Sequence, residues 1–600
     1  MMKKAVFGLA VAVMVIAAGC PMDGDDSTEA AGSLSSGDFR IEVEGDAVTI
    51  TGYTGNALEV TIPGQIGGLP VTAIGEQAFR EHLLTSVTIP DGVTTIEAFA
   101  FENNQLTSVT LPASVKTVGV KAFNGNRLTS VSLPAGVTDL SVSAFNSLVY
   151  ALYTKDGKQA KVYDFNGNGN DDYDWTGYTD STGNNWAEIT NYRNGSNTPT
   201  VPKEITKTED DKTLKWTVIA VGDYAYQGRG LTSVTFEDGG ANITAIGAGA
   251  FRENNGLTSI IIPSTVTAIG NEAFQRSGLT SVTIPNNVTV IESSAFRETE
   301  LTSVTFTDTS TVKTIGQEAF RNNKLVSVTI PASVKTIGRY AFANQGGSST
   351  PGAITIDDAA VTIEEGAFRE SRFTSVDLGD AVVSIGREAF SNNDLADNLI
   401  IPDSVTDIGS YAFRDNELTG VTFGTASKVV TIGREAFQNN KLTGTITIPD
   451  SVTTIGERAF TDQNGEQDVT KVTIGNGVTV IGGQAFRGIG LTEVTLGNKV
   501  VVIGADAFRD NGLTEVIIPA SVASIGREAF QNNDLTTVTI PASVKIGDYA
   551  FQNNDNLTSV TLGAGVVLGK DPFPGNLHEA YATDGAGTYT RTDGNWAKKQ

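Results

Sequence analysis

Cysteine is almost missing from this sequence: one occurs in 600 residues, at Cys20, and histidine occurs only as His82 and His578. Thiol chemistry and imidazole acid–base chemistry therefore have almost no material, and a structural zinc site is excluded. Long hydrophobic runs are also lacking. Apart from Ala5 to Ile16, no stretch approaches the length that crosses a bilayer. Basic charge is in deficit, with 42 Lys and Arg against 68 Asp and Glu for a net charge of −26. That field opposes nucleic acid and anionic lipid. Proline is scarce beside glycine, 18 against 65, and with heavy use of Thr, Val, Ile and Asn this describes many short strands between turns rather than long helices. No Ser/His/Asp set and no phosphate-binding glycine loop is present, so neither an enzyme nor a cofactor is expected.

What is present begins at the amino terminus. Lys3 and Lys4 precede the apolar run, which ends in Ala17-Ala18-Gly19-Cys20, the layout of an export signal. The segment resembles a bacterial lipoprotein signal with its lipobox. That resemblance implies a signal peptide over 1–19, acylation of Cys20, and a hold on the membrane through the lipid alone. Residues 20–37, rich in Asp, Ser and Gly, read as a flexible tether.

The body is a repeat. Leu279 to Phe296 reads LTSVTIPNNVTVIESSAF, and the phrase returns at Leu106–Phe123, Leu325–Phe342 and Leu513–Phe530. Its last aromatic serves as a ruler. It falls at Phe79, Phe101, Phe123 and Phe145, then from Tyr226 and Phe251 through Phe530 and Phe551, mostly 22 to 24 residues apart, within the leucine-rich-repeat window. Alternation of Val282 and Ile284 with Ser281 and Thr283 predicts a strand with one buried and one wet face. Pro285 stops it, Asn286 and Asn287 turn the chain, and Val288 and Ile291 point inward again. The Ala-Phe pair predicts a short helical or 3-10 turn on the outer side. Asn pairs such as Asn322-Asn323, Asn439-Asn440 and Asn532-Asn533 predict left-handed backbone and amides that satisfy the bend. Stacked coils would pair strand to strand, and nineteen or so would extend on the order of 90 Å.

The phrase L-T-S-V-x-I-P-x-x-V-x-x-I-G-x-x-A-F resembles the BspA-type leucine-rich repeat of bacterial surface proteins. The resemblance implies a leucine-rich-repeat solenoid of short β-strands, no catalytic residues, and adhesion to host matrix proteins such as fibronectin and fibrinogen or to partner bacteria.

The ruler skips 81 residues between Phe145 and Tyr226. Leu148–Trp175 resembles Leu577–Trp596, each read as a hairpin, and Ile189–Tyr226 parallels Ile50–Phe79. Since an open stack needs caps, two capped arrays in series are expected: 38–147 with its amino-terminal cap, an insertion 148–225 holding the end cap of the first and start cap of the second, 226–573, and a cap hairpin over 574–600. Asp164, Asn166 and Asn168, followed by Gly169, match the opening of a calcium loop, but Trp175 stands where a bidentate Glu should be, which favours a solvated hairpin tip over a metal site.

Two surface features remain. The outward strand positions Ser108, Thr110, Ser281, Thr283, Ser303 and Thr305 form hydroxyl ladders and are candidate ligand contacts, although Thr also simply suits a wet strand. Arg recurs just after the ruler aromatic, as at Arg252, Arg297 and Arg414, with acidic neighbours that predict a mixed, salt-laced face. The expectation is a non-catalytic, lipid-anchored cell-surface adhesin whose partners are extracellular matrix or cell-surface proteins. The alternative is an envelope scaffold or spacer with bacterial partners.

Overall fold

The computed structural model describes residues 34–599 apart from 141–160, 165–171, 180–184, 347–351 and gaps of one or two residues. The signal segment, Cys20 and nearly all of the tether lie outside the described residues. What is described is a β-solenoid of about 20 turns with almost no helix.

Each coil supplies two strands. In the coil that opens at Leu279, the first strand is Ser281–Ile284, with Val282 and Ile284 buried and Ser281 and Thr283 exposed. The second is the two-residue Val290–Ile291. Second strands of successive coils pair in parallel without interruption from Lys212–Val221 to Val567–Leu568, in strict register, as Thr314 with Thr336 and Ile315 with Ile337. First strands form shorter groups, such as Ser281–Ile284 with Ser303–Phe306. The glycine that follows most second strands lets the coils close up: a Cβ on Gly433 would lie 2.5 Å from the backbone of Gly409 and Ser410.

The Ala-Phe segment is not the helical or 3-10 turn expected from sequence. It is a string of tight turns whose amides alternate in direction. Ala273, Gln275 and Ser277 donate back to Gly270, Glu272 and Phe274 at 3.0–3.1 Å, whereas Glu272, Phe274 and Arg276 donate to Ser293, Ala295 and Arg297 of the next coil at 2.8–3.0 Å. A helix keeps every amide within its own segment and would leave the next coil unpaired. The alternation demands a left-handed residue two places before the aromatic and another two places after it, as at Glu272 and Arg276, both with φ 56°.

The aromatics themselves are fully buried. From Tyr226 to Phe573 each ring lies 4.9–5.5 Å from the next, nearly parallel. Free aromatic pairs prefer offset or edge-on contact; here the coil spacing dictates the stack. Phe573 extends the ruler one coil past Phe551, hidden in sequence because Pro572 replaces the usual Ala.

The ends are built from antiparallel strands. Phe39–Glu44 pairs with Ala47–Tyr53, and Tyr53 starts the first ring stack on Phe79 at 5.4 Å. Tyr173–Thr179 pairs in the same manner with Asn185–Tyr192, and Tyr192 starts the second stack on Tyr226 at 5.1 Å. Trp175 therefore packs on Trp216, 5.0 Å away, beside the coils that follow it. At the carboxyl end Leu577–Asp584 is a helix, closed by Gly585 at φ 70°, and the hairpin occupies Gly587–Thr592 and Asn595–Lys598, laid antiparallel on Ser559–Leu562. Among the described residues the second strands, with the cap strands that continue them, fall into an 8-stranded sheet ending at Asp139–Leu140 and a 20-stranded sheet beginning at Lys161–Asp164. Each has its own apolar core.

Candidate binding faces of the coil stack

A coil has three sides, and the chemistry of each follows from how its polar groups are already used. On the first-strand face, Ser108, Thr110, Ser281, Thr283, Ser303 and Thr305 are all exposed. They stand in register across neighbouring coils, Ser281 beside Ser303 and Thr283 beside Thr305, and Ser108 and Thr110 beside Ser130 and Ser132. Among the described residues none of the six hydroxyls has a hydrogen bond within the protein. One residue earlier the hydroxyls are engaged: Thr302 Oγ1 donates to the Thr280 carbonyl at 3.1 Å.

The second-strand face is quieter. Thr267 Oγ1 donates to the Thr244 carbonyl at 3.1 Å and Thr289 Oγ1 to the Thr267 carbonyl at 3.2 Å, one residue before each strand as on the first face, while the outward hydroxyls of Thr314 and Thr336 stand in register and half-buried.

The turn face carries the arginines, several of which reach a carboxylate on the following coil, while Arg321, Arg387 and Arg527 pair within their own. Arg252 meets Glu272 at 2.7 Å, Arg297 meets Glu318 at 2.6 Å, Arg369 meets Glu388 at 2.6 Å and Arg414 meets Glu435 at 2.8 Å. The glutamate is the left-handed residue before the aromatic, which explains why so strained a place holds a long side chain. The Arg276 guanidinium similarly holds the Glu298 carboxyl below its ordinary range. The face is a lattice of neutralised charge, with no continuous basic stripe.

Beneath it the two members of each Asn pair have different tasks. Asn439 takes the left-handed turn, φ 54°. Asn440 is buried: its Nδ2 donates to the carbonyls of Phe413 and Phe437 at 2.9 and 3.1 Å, and its Oδ1 accepts the Leu418 amide at 3.1 Å. The same triad recurs at Asn104, Asn254, Asn416 and Asn554. His82 fills that place in the coil of Phe79, and burial lowers its imidazole pKa.

A polar groove of about 340 Å³ lies along this edge between Asn392 and Asn464. Its groups satisfy one another: Asn439 Nδ2 donates to Asp415 Oδ1 at 2.7 Å, Asn464 Nδ2 to Asn439 Oδ1 at 2.6 Å, and Lys441 pairs with Glu417. Among the described residues no group of His, Cys, Asp and Glu is placed to hold a metal. Asn166 and Asn168 of the candidate calcium loop lie outside the described residues; Asp164 ends a strand whose partner at that point is Thr176.

Carboxylates set between coils had no counterpart in the sequence reading. Where Glu replaces the spacing glycine it accepts an amide of the preceding coil: Glu97 from Glu76 at 2.9 Å, Glu292 from Asn271 at 3.0 Å, Glu364 from Arg339 at 2.9 Å. Burial raises the pKa of Glu97 and of Glu364. Glu188 presses its Oε1 against Gly222, where a Cβ would come within 2.4 Å; burial first, and the charge of Asp223 second, push its carboxyl up to about 8. The available signal was the change from Ile-Gly to Ile-Glu at Ile96, Ile291 and Ile363.

No helix among the described residues is long and apolar enough to cross a membrane. No curated relative matches the chain at a significant level. Among solved structures, a leucine-rich repeat protein from Bacteroides ovatus ATCC 8483 is 24% identical, aligned over 68% of this chain and 91% of its own, with a TM-score of 0.42. A leucine rich cell surface protein from Faecalibacterium prausnitzii A2-165 is 22% identical over 69% of this chain and 96% of its own, TM-score 0.28. The pneumococcal vaccine antigen PcpA is 17% identical over 69% and 86%, TM-score 0.30. The BspA type leucine rich repeat region, a unit of six copies, matches residues 59–156, 219–348, 350–467 and 464–576. With most of its length matched by that repeat and coiled as the repeat requires, the chain belongs to the BspA-type leucine-rich-repeat family.

Proposed function

We propose that this chain is a non-catalytic binding protein of the bacterial cell surface, held to the envelope by a lipid on Cys20 and acting as an adhesin toward matrix proteins or other cells. Membership of a repeat-based binding family supports the binding role. The observation that carries it is the first-strand face, where hydroxyls at Ser108, Thr110, Ser281, Thr283, Ser303 and Thr305 stand exposed, in register and without partners of their own. Such a ladder offers many weak donors and acceptors to an extended ligand. We read residues 38–147 and 226–573 as two such arrays in series, supported by their separate sheets and cores.

The test is binding of the purified chain to immobilised matrix proteins and to intact cells. Saturable binding to one of them is expected, and its absence across a broad panel overturns the adhesin reading. Protease treatment of intact cells should remove the protein, and Cys20→Ala should release it from the membrane fraction. A protein that survives protease on intact cells is not surface-displayed.

A further inference from the structure

The first-strand face is not uniform along the second stack, and what varies is charge. Among the described residues, the two outward strand positions of six successive coils from Ser233 to Thr355 hold no charged side chain, with Glu237 and Asp357 exposed just past the first and the last of these strands. The usual outward pair is Ser and Thr, with Ile261 in one Thr place, 86% exposed. The repeat does not forbid charge there, because the matching positions of later coils hold Asp377, Lys471, Glu493 and Glu515. A chain of net charge −26 thus keeps one long strip neutral.

A strip without charge selects a partner without charge. A protein surface carries roughly a quarter to a third charged side chains, and laying those on this strip would strip them of water with no counter-charge in return. An uncharged polysaccharide incurs no such cost. Its hydroxyls match the unpaired hydroxyls of Ser281, Thr283, Ser303 and Thr305 as both donors and acceptors, and its C–H faces suit Ile261. Register agrees as well: from Tyr226 to Phe368 the rings of successive coils step by 5.0–5.3 Å, and a sugar unit in an extended glycan advances by a similar distance.

We propose that the face from Ser233 to Thr355 binds an uncharged linear polysaccharide laid along the stack, about one sugar to each coil. This rests on the reading of the first-strand face as the binding surface and, for these six coils, takes its second branch, a cell-surface polysaccharide in place of a matrix protein. The test is affinity electrophoresis of the full chain in gels cast with neutral polysaccharides (a β-glucan, an α-glucan, a galactomannan), with alginate as the charged contrast. Retardation by at least one neutral polysaccharide, insensitive to salt, is expected. Thr283→Glu with Thr305→Glu should weaken it about tenfold or more, and Thr283→Val with Thr305→Val, which keeps strand shape and removes only hydroxyls, should also weaken it. Thr473→Glu with Thr495→Glu, paired in register in later coils, should not. Retardation by no neutral polysaccharide, retardation by alginate alone, or equal loss in all variant pairs overturns the proposal. If no glycan retards the chain while Thr283→Glu with Thr305→Glu abolishes binding to a matrix protein, the ligand class fails and the binding face stands; if nothing binds, both fall.

Discussion

The buried asparagines show how much one side chain can hold in a coil too small for a core of its own. Asn416 donates to the carbonyls of Phe390 and Phe413 at 2.9 and 3.1 Å and accepts the Leu395 amide at 3.3 Å, so it closes three backbone groups that neither strand reaches. Leucine in its place leaves the Leu395 amide unpaired in a dry setting and each carbonyl with a single side-chain donor, Asn393 on Phe390 and Asn440 on Phe413. Asn416→Leu is expected to destabilise its coils by about 1–3 kcal/mol, read by urea unfolding with hydrogen exchange at Leu395. Asn416→Gln should lose much less, because Gln345 already makes the same three contacts at 2.8–3.2 Å. Pairing of asparagines was legible in the sequence, and so was their service to the bend. The division of labour between them was not, since it depends on which carbonyls the preceding coil presents. Glu188 carries a second expectation. A carboxyl raised from 4.5 to about 8 in the folded state binds more protons folded than unfolded between those values, so its contribution is greatest at low pH and is lost as pH rises through that window. Unfolding of this end, followed by the fluorescence of Trp175 and Trp216, should occur at lower temperature as pH rises from about 4.5 to about 8, and Glu188→Gln should flatten that slope. An unchanged slope would place the carboxyl in water.

At the scale of elements, strands announced themselves and turns did not. Period-two alternation such as Ser281–Ile284 reports a face directly. The turn string follows no pattern of hydrophobicity, because its left-handed residues are chosen by the pairing of the next coil and are as varied as Glu272, Tyr340 and Gln484. The terminal helix Leu577–Asp584 escaped for a related reason: it holds a single aromatic, Tyr581, and no apolar period, and only contact with the last coil decides its form. Leu83 exposes the cost of left-handed backbone most plainly. It stands at φ 60° with 55% of its surface exposed, whereas the same place holds Gly230 at φ 64° and Gly490 at φ 80°. Leu83→Gly relieves backbone strain while surrendering little burial, and should raise the stability of the first stack by about 1 kcal/mol in denaturant unfolding. Gly433→Ala should do the reverse by about 2 kcal/mol or more, since its new Cβ meets backbone that cannot yield.

For the whole molecule, stability is a sum over neighbours. Each coil touches the one before and the one after, so unfolding proceeds from weak ends, and caps matter more than their size implies. Ending the chain after Gly575 would remove the terminal helix and hairpin, free the edge of Ser559–Leu562 and uncover Phe573. Faster amide exchange confined to roughly the last two or three coils is expected, with protection near Tyr226 unchanged; uniform loss would mean that the stack unfolds as one body.

The ring stack has a bearing on inheritance. Because the step from ring to ring is nearly constant, 4.9–5.5 Å between Tyr226 and Phe573, any coil can follow any other. A copying slip that gains or loses one repeat in frame lengthens or shortens the stack by one step and leaves both caps as they were. Reach can thus change in whole units without any change of residue in the coils already present.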